Sequence, residues 1–338
     1  TSVMTLARTI EDDGGTALAS YRDPLGGHWQ ILASLPIDRV EPTPFQRDLS
    51  ETHVERLAGA IDKLDRFLDP VIAVPAGDVA PLAAYPAGLD FELIVLATKA
   101  QEAMEIAPRA ARWLAPGGTL LPIQNGAVSR LLADRLGNDR VLGGLSNLGA
   151  TLHAPGRIEQ RNAGHLLIGE LSGGVSERAG HVGAWLGRGV EVRVTGNLAG
   201  AIWSKLLLNC SVTTLGAIAG GTMREYIGTA TGRAAFDRSY DEALSVAFAS
   251  GARPERMMVD PVPPGWNGQA VPGAEHQAWL DRILAAYGDL KPSMLQDFER
   301  GRLTEIDFIN GYVADLGRRL GVPTPVNTGI VETVHAIE

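Results

Sequence analysis

The sequence has few of the features that mark a secreted, membrane-bound or nucleic-acid-binding protein. Its 338 residues contain one cysteine, Cys210, so no disulfide can form within one chain, and a free thiol suits a reducing cytoplasm. No uninterrupted apolar run approaches the roughly 18 residues that a membrane helix needs. The formal net charge of −9 disfavours a sequence-independent grip on phosphates or on anionic membrane. We therefore expect a cytoplasmic protein, and we expect neither a membrane nor nucleic acid as its partner.

Motifs of several enzyme classes are also missing. The seven histidines show no spacing typical of metal ligands, and a single cysteine excludes a C-x-x-C site, so we expect no metal. The chain contains no G-x-S-x-G nucleophile turn and no phosphate-binding P-loop. Any catalysis is therefore expected to depend on other side chains.

The most informative stretch is GNLAGAIWSKLLLNCSVTTLGAIAGG, residues 196–221. It predicts a buried apolar helix that Asn197 can cap and that Gly220 can end. Two polar residues interrupt it, Lys205 and Asn209, and their spacing of four places both on one face. A lysine on such a helix is costly unless its charge has a partner or a use, although Lys205 could instead extend its ammonium to the surface.

A second stretch, SMLQDFERGRLTEIDFING at residues 293–311, carries a family resemblance when taken with WSKLLLN. Together they resemble the ketopantoate reductase (2-dehydropantoate 2-reductase) family of pantothenate biosynthesis. The resemblance continues through LIVLATKAQEA from Leu93, LLPIQNGA from Leu120 and LGGLSNLGATLHAPGRI from Leu142. It runs from about residue 79 to the C-terminus. The order and spacing of the pieces carry it, because a short piece such as QNG is a weak signal alone.

The resemblance and the alternation of strands and helices imply an α/β fold, with an incomplete Rossmann-type doubly wound sheet followed by an all-helical C-terminal domain. We predict a partial dinucleotide-binding domain at 79–195 and, at 196–338, a helical domain similar to that of 6-phosphogluconate dehydrogenase. The Pro- and Gly-rich segment 252–273 is expected to be a loop insertion that could overhang the cleft. Expected strands are 93–97, 119–123, 141–150, 166–169 and 190–194, and expected helices are 101–114, 127–136, 175–186, 230–249, 274–287, 305–320 and 327–337.

The front of the chain has a different character. LPIDRVEPTPFQRDLSETHVERLAGAIDKLDRFLDPVIAV, within residues 29–75, resembles the opening of a ParB-type N-terminal domain, and we assign a ParB-like segment to residues 1–78. The Arg-containing motif that follows in that family does not follow here. Residues 1–27 are expected to be a mobile polar lead with one short helix. Further expected elements are extended segments at 30–33 and 35–37, a helix from Ser50 and a strand at 71–74.

The sequence contains no G-x-G-x-x-G turn, although the reductase resemblance implies one after a first strand. Such a turn lets a cofactor pyrophosphate approach the backbone at a helix N-terminus. Without it, we expect weaker cofactor binding than in the family. An incomplete sheet would also expose an edge, which favours pairing with another chain, for example in a homodimer, unless residues 71–74 fill the gap.

The resemblance implies NADPH-dependent reduction of a 2-keto acid, of the 2-dehydropantoate to pantoate type. A lysine near the reacting carbonyl can supply positive charge and a proton. Thr213 stands where the family often has a second asparagine, so the native substrate could differ from ketopantoate. The implied catalytic residues are Lys205 and Glu305, the substrate-binding residues are Asn125, Asn209, Ser293 and Thr213, and the cofactor-binding residues are Thr98, Lys99 and Asn125. Asn209 and Glu305 are expected to hold the Lys205 ammonium.

Other interpretations stay open. Glu305 could pair with Arg302 at the surface, Ser293 could cap a helix, and Asn125 could be a turn residue before Gly126. The whole chain could be a reductase-like binding module that has lost dinucleotide binding. A ParB-like DNA-associated protein is a further alternative, against which the acidic charge and the missing Arg-containing motif argue.

Overall fold

The computed structural model divides the chain into two compact units. One unit comprises Thr1–Leu89 with Ala150–Arg161, and the other comprises Asp90–Gly149 with Asn162–Glu338. The structure describes residues 8–12, 14, 16–22, 29–34, 91–154, 157–160 and 164–338. The elements predicted at 35–37, from Ser50 and at 71–74 lie outside these residues. The domain boundaries near residues 78 and 195 stay predictions.

The elements within the described residues are numbered in chain order. The strands are β1 (Thr16–Arg22), β2 (Trp29–Ser34), β3 (Phe91–Leu96), β4 (Leu114–Pro122), β5 (Gly143–Ser146), β6 (Ala150–Ala154), β7 (Arg157–Gln160), β8 (Leu166–Gly169) and β9 (Val192–Val194). The α-helices are α1 (Ala100–Ala110), α2 (Val128–Leu136), α3 (Glu177–Leu186), α4 (Leu198–Leu208), α5 (Thr214–Ala219), α6 (Met223–Tyr226), α7 (Ala230–Ala249), α8 (Ala274–Tyr287), α9 (Ser293–Glu299), α10 (Asn310–Leu320) and α11 (Pro325–Ile337).

The first unit contains two antiparallel hairpins, β1 with β2 and β6 with β7. A helical turn at residues 8–12 agrees with the short helix expected in the polar lead, and β2 confirms the extended segment at 30–33. The expectation of a mobile lead up to residue 27 is wrong for residues 16–22, which form β1. The pairing that stabilises β1 comes from β2, and a local reading of an acidic, Gly-rich stretch could not detect it.

The second unit holds the Rossmann-type sheet, of which the described residues form the following part. Strands β3 and β4 are parallel, with Leu93 opposite Thr119, and α1 connects them. A parallel bridge from Leu120 of β4 to Val141 places the chain that leads into β5 beside β4. Strand β5 pairs antiparallel with β8, and β8 pairs parallel with β9. Strands β3, β4 and β5 therefore present their carboxyl ends at one edge, where ligands bind in open α/β sheets.

The strand predicted at 166–169 has the predicted limits, and those predicted at 93–97 and 190–194 are displaced by one or two residues at their ends. The other two predicted strands differ more. Strand β4 begins at Leu114 and carries Pro116–Gly118 within it, because the register with β3 shifts between Phe91 and Leu93. The strand predicted at 141–150 is split. Strand β5 ends at Ser146, and Ala150 begins β6 in the other unit.

The apolar stretch after residue 196 is helical, as predicted, but it is not one α-helix. Asn197 caps α4 by accepting a 3.1 Å hydrogen bond from the Gly200 amide, and Gly220 ends α5 with a φ of 71°. A π-helical turn at Asn209–Thr213 separates the two helices. The segment Leu198–Ala219 is long and apolar enough to cross a membrane by length and composition alone. However, 72% of the apolar 18-residue window within it is buried inside the protein, as expected of a core helix.

The remaining helices pack around this segment. Helices α7 and α8 have the predicted limits, and their aromatic side chains Phe236, Tyr240 and Trp279 are buried against one another. The helix predicted from Glu305 begins at Asn310 instead, because residues 306–308 form a 3₁₀ turn.

The 252–273 segment is a loop, as predicted, and it is fastened to the helical region. The Tyr240 hydroxyl donates to the Pro261 carbonyl at 2.8 Å, and the Trp279 indole donates to the Asp260 carbonyl at 2.8 Å. Ser204 bonds to the backbone of Glu255. The loop therefore braces the helix that carries Lys205.

Candidate active site

The turns after β3 and β4 are held together by Gln124. Its side-chain amide donates to the Leu96 carbonyl at 2.9 Å and to the Thr98 carbonyl at 3.0 Å. Gln124 is buried, and sequence reasoning did not select it. Its bonds fix the backbone that presents Thr98 and Lys99 at the edge of the sheet.

The QNG turn after β4 contacts the second motif directly. The Ala127 amide donates to the Phe308 carbonyl at 3.1 Å, and Gly126 adopts a φ of 75° beside it. Asn125 extends its amide to the Glu305 carboxylate, at 3.4 Å. Asn125 therefore lies in a turn before Gly126, as one interpretation expected, and also reaches a predicted catalytic residue.

Glu305 is a buried carboxylate, with 8% of the residue exposed. Its Oε1 accepts a 2.9 Å hydrogen bond from the Ala100 amide at the first turn of α1. A carboxylate at a helix N-terminus is stabilised by the unpaired amides and the helix dipole. The interpretation of Glu305 as a surface partner of Arg302 is wrong.

Lys205 reaches the same edge of the sheet from α4. Its ammonium donates a short hydrogen bond to the Ser146 carbonyl at the end of β5. Burial lowers the pKa of Lys205 to about 8, although the negative charge of Glu305 acts in the opposite direction. The ammonium is therefore held by a backbone carbonyl, whereas the Asn209 amide was expected to hold it, and Glu305 acts on it through its charge.

Lys99 forms an ion pair with Asp297 of α9. The Lys99 ammonium lies 2.6 Å from the carboxylate, whose side chain is 7% exposed. Sequence reasoning missed Asp297, although its position one turn after Ser293 in SMLQDFE could have suggested it. The ion pair ties the turn after β3 to the helical region.

Thr98 directly precedes Lys99, and Ser293 lies four residues before Asp297. Both residues are exposed. Pro292 occupies the N-cap position of α9, with no side-chain cap, so Ser293 does not cap the helix as one interpretation proposed. The Thr98 hydroxyl donates to the Lys99 carbonyl at 3.3 Å. The ligand-binding roles of both residues stay predictions.

The π turn determines where Asn209 and Thr213 lie relative to Lys205. An α-helix turns by about 100° per residue, so an unbroken helix would place Thr213 about 80° around the axis from Lys205. A π turn absorbs one extra residue, which reduces this angle to about 20°. Both residues are partly exposed, and the Thr213 hydroxyl donates to the Asn209 carbonyl at 3.0 Å. Lys205, Asn209 and Thr213 therefore follow one stripe of the helix.

The sequence of the chain matches the models of one protein family over most of its length. The model for "Ketopantoate reductase PanE/ApbA" matches residues 69–173, and the model for its C-terminal part matches residues 197–338. The 2-dehydropantoate 2-reductase of Pyrococcus horikoshii is 30% identical, over 73% of this chain and 76% of the relative.

Solved structures show the same fold. The 2-dehydropantoate 2-reductase of Methylococcus capsulatus superposes with a TM-score of 0.59 at 25% identity, over 76% of each chain. A ternary structure of D-mandelate dehydrogenase with NADH and anilino(oxo)acetate superposes with a TM-score of 0.61 at 22% identity, over 76% of this chain and 78% of that one. The matches extend through both the sheet and the helices, and the chain belongs to the ketopantoate reductase family, whose activity is the reduction of a 2-keto acid.

Proposed function

We propose that this protein is an NADPH-dependent reductase of a 2-keto acid, of the 2-dehydropantoate type, with Lys205 as the proton donor. The observation that carries the proposal is the position of the Lys205 ammonium. It lies at the carboxyl edge of the parallel strands, bonded to Ser146 and within the field of Glu305. This is the edge at which substrates and nucleotides meet in such sheets.

The chemistry asked of Lys205 fits its environment. One of its three ammonium hydrogens is used by the Ser146 carbonyl, which orients the group and leaves two for a substrate oxygen. A pKa of about 8 keeps the amine mostly protonated at neutral pH and makes it a better acid than an exposed lysine. Lys205 would thus stabilise the alkoxide oxygen that forms at the substrate carbon and then protonate it.

The other site residues have separate tasks in this proposal. Glu305, held by Ala100 and Asn125, keeps negative charge near Lys205 and supports its protonated form. Asn209 and Thr213, on the stripe of Lys205, would bind the substrate, together with Asn125 and Ser293. Thr213 offers a hydroxyl where the family often has an asparagine amide. The substrate would therefore be a keto acid that differs from ketopantoate in the group that faces this residue.

The described residues fit one end of a nicotinamide dinucleotide better than the other. When bound, the dinucleotide would supply the hydride. Thr98 and Asn125, after β3 and β4, can line its nicotinamide end, whereas the Lys99 ammonium is engaged by Asp297. The first turn of α1, a natural anion site, is already used by Glu305. With no G-x-G-x-x-G turn in the sequence, we expect weak binding of the pyrophosphate.

A titration with NADPH and with NADH, followed by turnover of 2-dehydropantoate, tests the proposal. We expect binding in the high micromolar range or weaker, a preference for NADPH, and turnover that Lys205→Ala reduces by at least about 100-fold. Lys291→Ala removes an exposed lysine paired with Glu299 and is the matched control. No binding at millimolar NADPH would instead support a second candidate, a reductase-like binding module. That candidate is favoured by the missing glycine turn and by the Glu305 carboxylate at α1.

Two further proposals complete this assignment. We expect the protein to act in the cytoplasm and to form a homodimer, and light scattering at micromolar concentration tests the assembly. DNA binding by the ParB-like front is the remaining alternative. A gel-shift measurement at low salt, where phosphate contacts are strongest, would reveal it.

A further inference from the structure

The π turn at Asn209–Thr213 needs partners for its carbonyl groups. A wide turn interrupts the regular pattern in which each carbonyl receives an amide four residues on. The Asn209 carbonyl receives the Thr214 amide and lies 3.0 Å from the Thr213 hydroxyl and 2.9 Å from the Thr214 hydroxyl. The Cys210 carbonyl receives a side chain from elsewhere in the chain, the Asn310 amide, at 3.2 Å.

Asn310 is fully buried and its amide is oriented from two other sides. Its Oδ1 lies 3.0 Å from the Thr214 hydroxyl, and its Nδ2 also donates to Asn327 Oδ1 at 2.9 Å. Asn327 in turn donates to the Ser239 carbonyl and to Glu242. The Cys210 carbonyl can only accept, and Asn327 turns its oxygen to Asn310 because the Ser239 carbonyl and the Glu242 carboxylate take its amide hydrogens. The Asn310 Nδ2 must therefore face both the π turn and Asn327.

We propose that Asn310 is a positioning residue for the substrate site, because it holds the π turn that brings Asn209 and Thr213 into line with Lys205. The inference rests on the proposed function and extends it to a residue that contacts neither substrate nor cofactor. Asn310 begins α10 directly after the segment that carries Glu305 and Phe308. The same segment therefore supplies the buried carboxylate and leads into the asparagine that contacts the turn after the lysine helix.

A purely structural role would make Asn310 equivalent to its neighbour Asn327. Both are fully buried asparagines in one network, and Asn327 makes no hydrogen bond to the π turn. Asn327→Ala is therefore a matched control for loss of core stability. Asn327→Ala removes one group that orients the Asn310 amide but keeps the donor to the Cys210 carbonyl. If Asn310 acts through the turn, its own removal therefore has a larger effect on substrate binding than Asn327→Ala.

The test compares Asn310→Ala, Asn327→Ala and Thr213→Ala in the full chain, with Tm, kcat and KM for 2-dehydropantoate measured for each. We expect Asn310→Ala to raise KM about tenfold more than Asn327→Ala at a similar fall in Tm. We also expect Thr213→Ala to raise KM less in the Asn310→Ala background than alone, since the misplaced hydroxyl no longer binds. Equal KM changes in the two asparagine variants, or KM effects of Asn310→Ala and Thr213→Ala that multiply independently, would overturn the proposal.

The rate of amide hydrogen exchange in residues 209–215 measures the stability of the turn independently of turnover. Asn310→Ala is expected to speed exchange in this segment about tenfold relative to Asn327→Ala, because the turn loses the hydrogen bond from Asn310 to the Cys210 carbonyl and opens more readily. Unchanged exchange would contradict the positioning role. If wild-type protein turns over no keto acid, the proposed function fails, and exchange still decides whether Asn310 holds the turn. Should Asn310→Ala not fold, Asn310→Leu removes the same amide while keeping most of its volume, and takes its place.

Discussion

Gly126 lies against the backbone of Phe308, so closely that a β-carbon at position 126 would overlap the Phe308 carbonyl oxygen. The same carbonyl accepts the Ala127 amide. The contact joins the turn after β4 to the segment that follows Glu305. Two motifs nearly 200 residues apart in the sequence thus meet at one carbonyl, and this contact sets the distance between Asn125 and Glu305.

We predict that Gly126→Ala destabilises the protein by about 3 kcal/mol and reduces turnover. The added carbon must displace backbone atoms, and alanine also resists the φ of 75°. Urea unfolding measures the first effect and a steady-state assay the second.

Gly117→Ala is the matched control for that change. Gly117 has a φ of 79°, but a β-carbon there meets nothing within 4 Å. Gly117→Ala should lower the free energy of unfolding by about 1 kcal/mol, from conformational strain alone, and leave turnover unchanged. Equal losses of stability in the two variants would show that the Phe308 contact has no effect.

Removing the lysine at the centre of the site should stabilise the fold. The folded-state pKa of Lys205, about 8, lies below its ordinary 10.5, so the folded protein releases a proton that the unfolded chain keeps between these values. The penalty of the buried charge is therefore fully present below pH 8 and disappears as pH rises towards 10.5. We predict that Lys205→Met raises the free energy of unfolding by about 1–2 kcal/mol at pH 7, and by less at pH 10. Lower stability of the variant at pH 7 would contradict this.

The same pKa predicts the pH dependence of the reaction. A proton donor must be protonated, so kcat/KM should be level below pH 8 and fall about tenfold per pH unit above it. An unperturbed lysine would delay this fall until about pH 10. A profile that stays level to pH 9.5 would exclude Lys205 as the donor.

Glu305→Gln should move that fall to lower pH. The Glu305 charge raises the pKa of Lys205 against the effect of burial, and glutamine keeps an oxygen for the Ala100 amide but removes the charge. We expect the upper limb of the kcat/KM profile to shift down by at least half a pH unit. Glu332→Gln, exposed on α11, should not shift it. A shift to higher pH would contradict the electrostatic coupling.

The sequence predicts the helices well where a local pattern decides them. Helices α7 and α8 have the limits expected from their apolar spacing, and Asn197 caps α4 as its side chain suggests. The π turn is not predicted by such local patterns. It depends on Asn310, a hundred residues along the chain, and on a carbonyl contact that no periodicity records.

The site shows the same division between local and distant information. The resemblance selected Asn125, Lys205 and Glu305, and the structure brings these three to one edge of the sheet. The bond that holds Lys205 comes from the backbone of Ser146, and a main-chain carbonyl has no signature in a sequence. Asp297 escaped selection because a carboxylate on a short helix is more often a solvated surface group.

The ion pair of Lys99 with Asp297 should contribute measurably to stability, because the carboxylate is nearly buried. Lys99→Met leaves that carboxylate without its cation, so we expect a loss of about 1–2 kcal/mol, reduced by the partial exposure of the lysine. In a protein that already carries Asp297→Asn, Lys99→Met should change the free energy of unfolding little.

A double-mutant cycle by urea unfolding measures the coupling energy of the pair, and the exposed pair of Arg318 with Asp315 serves as its control. The control pair should couple by less than about 0.5 kcal/mol and lose this in 0.5 M salt, whereas the Lys99 pair should keep most of its coupling. Equal coupling energies and equal salt dependence in the two cycles would mean that Asp297 does not hold the turn after β3.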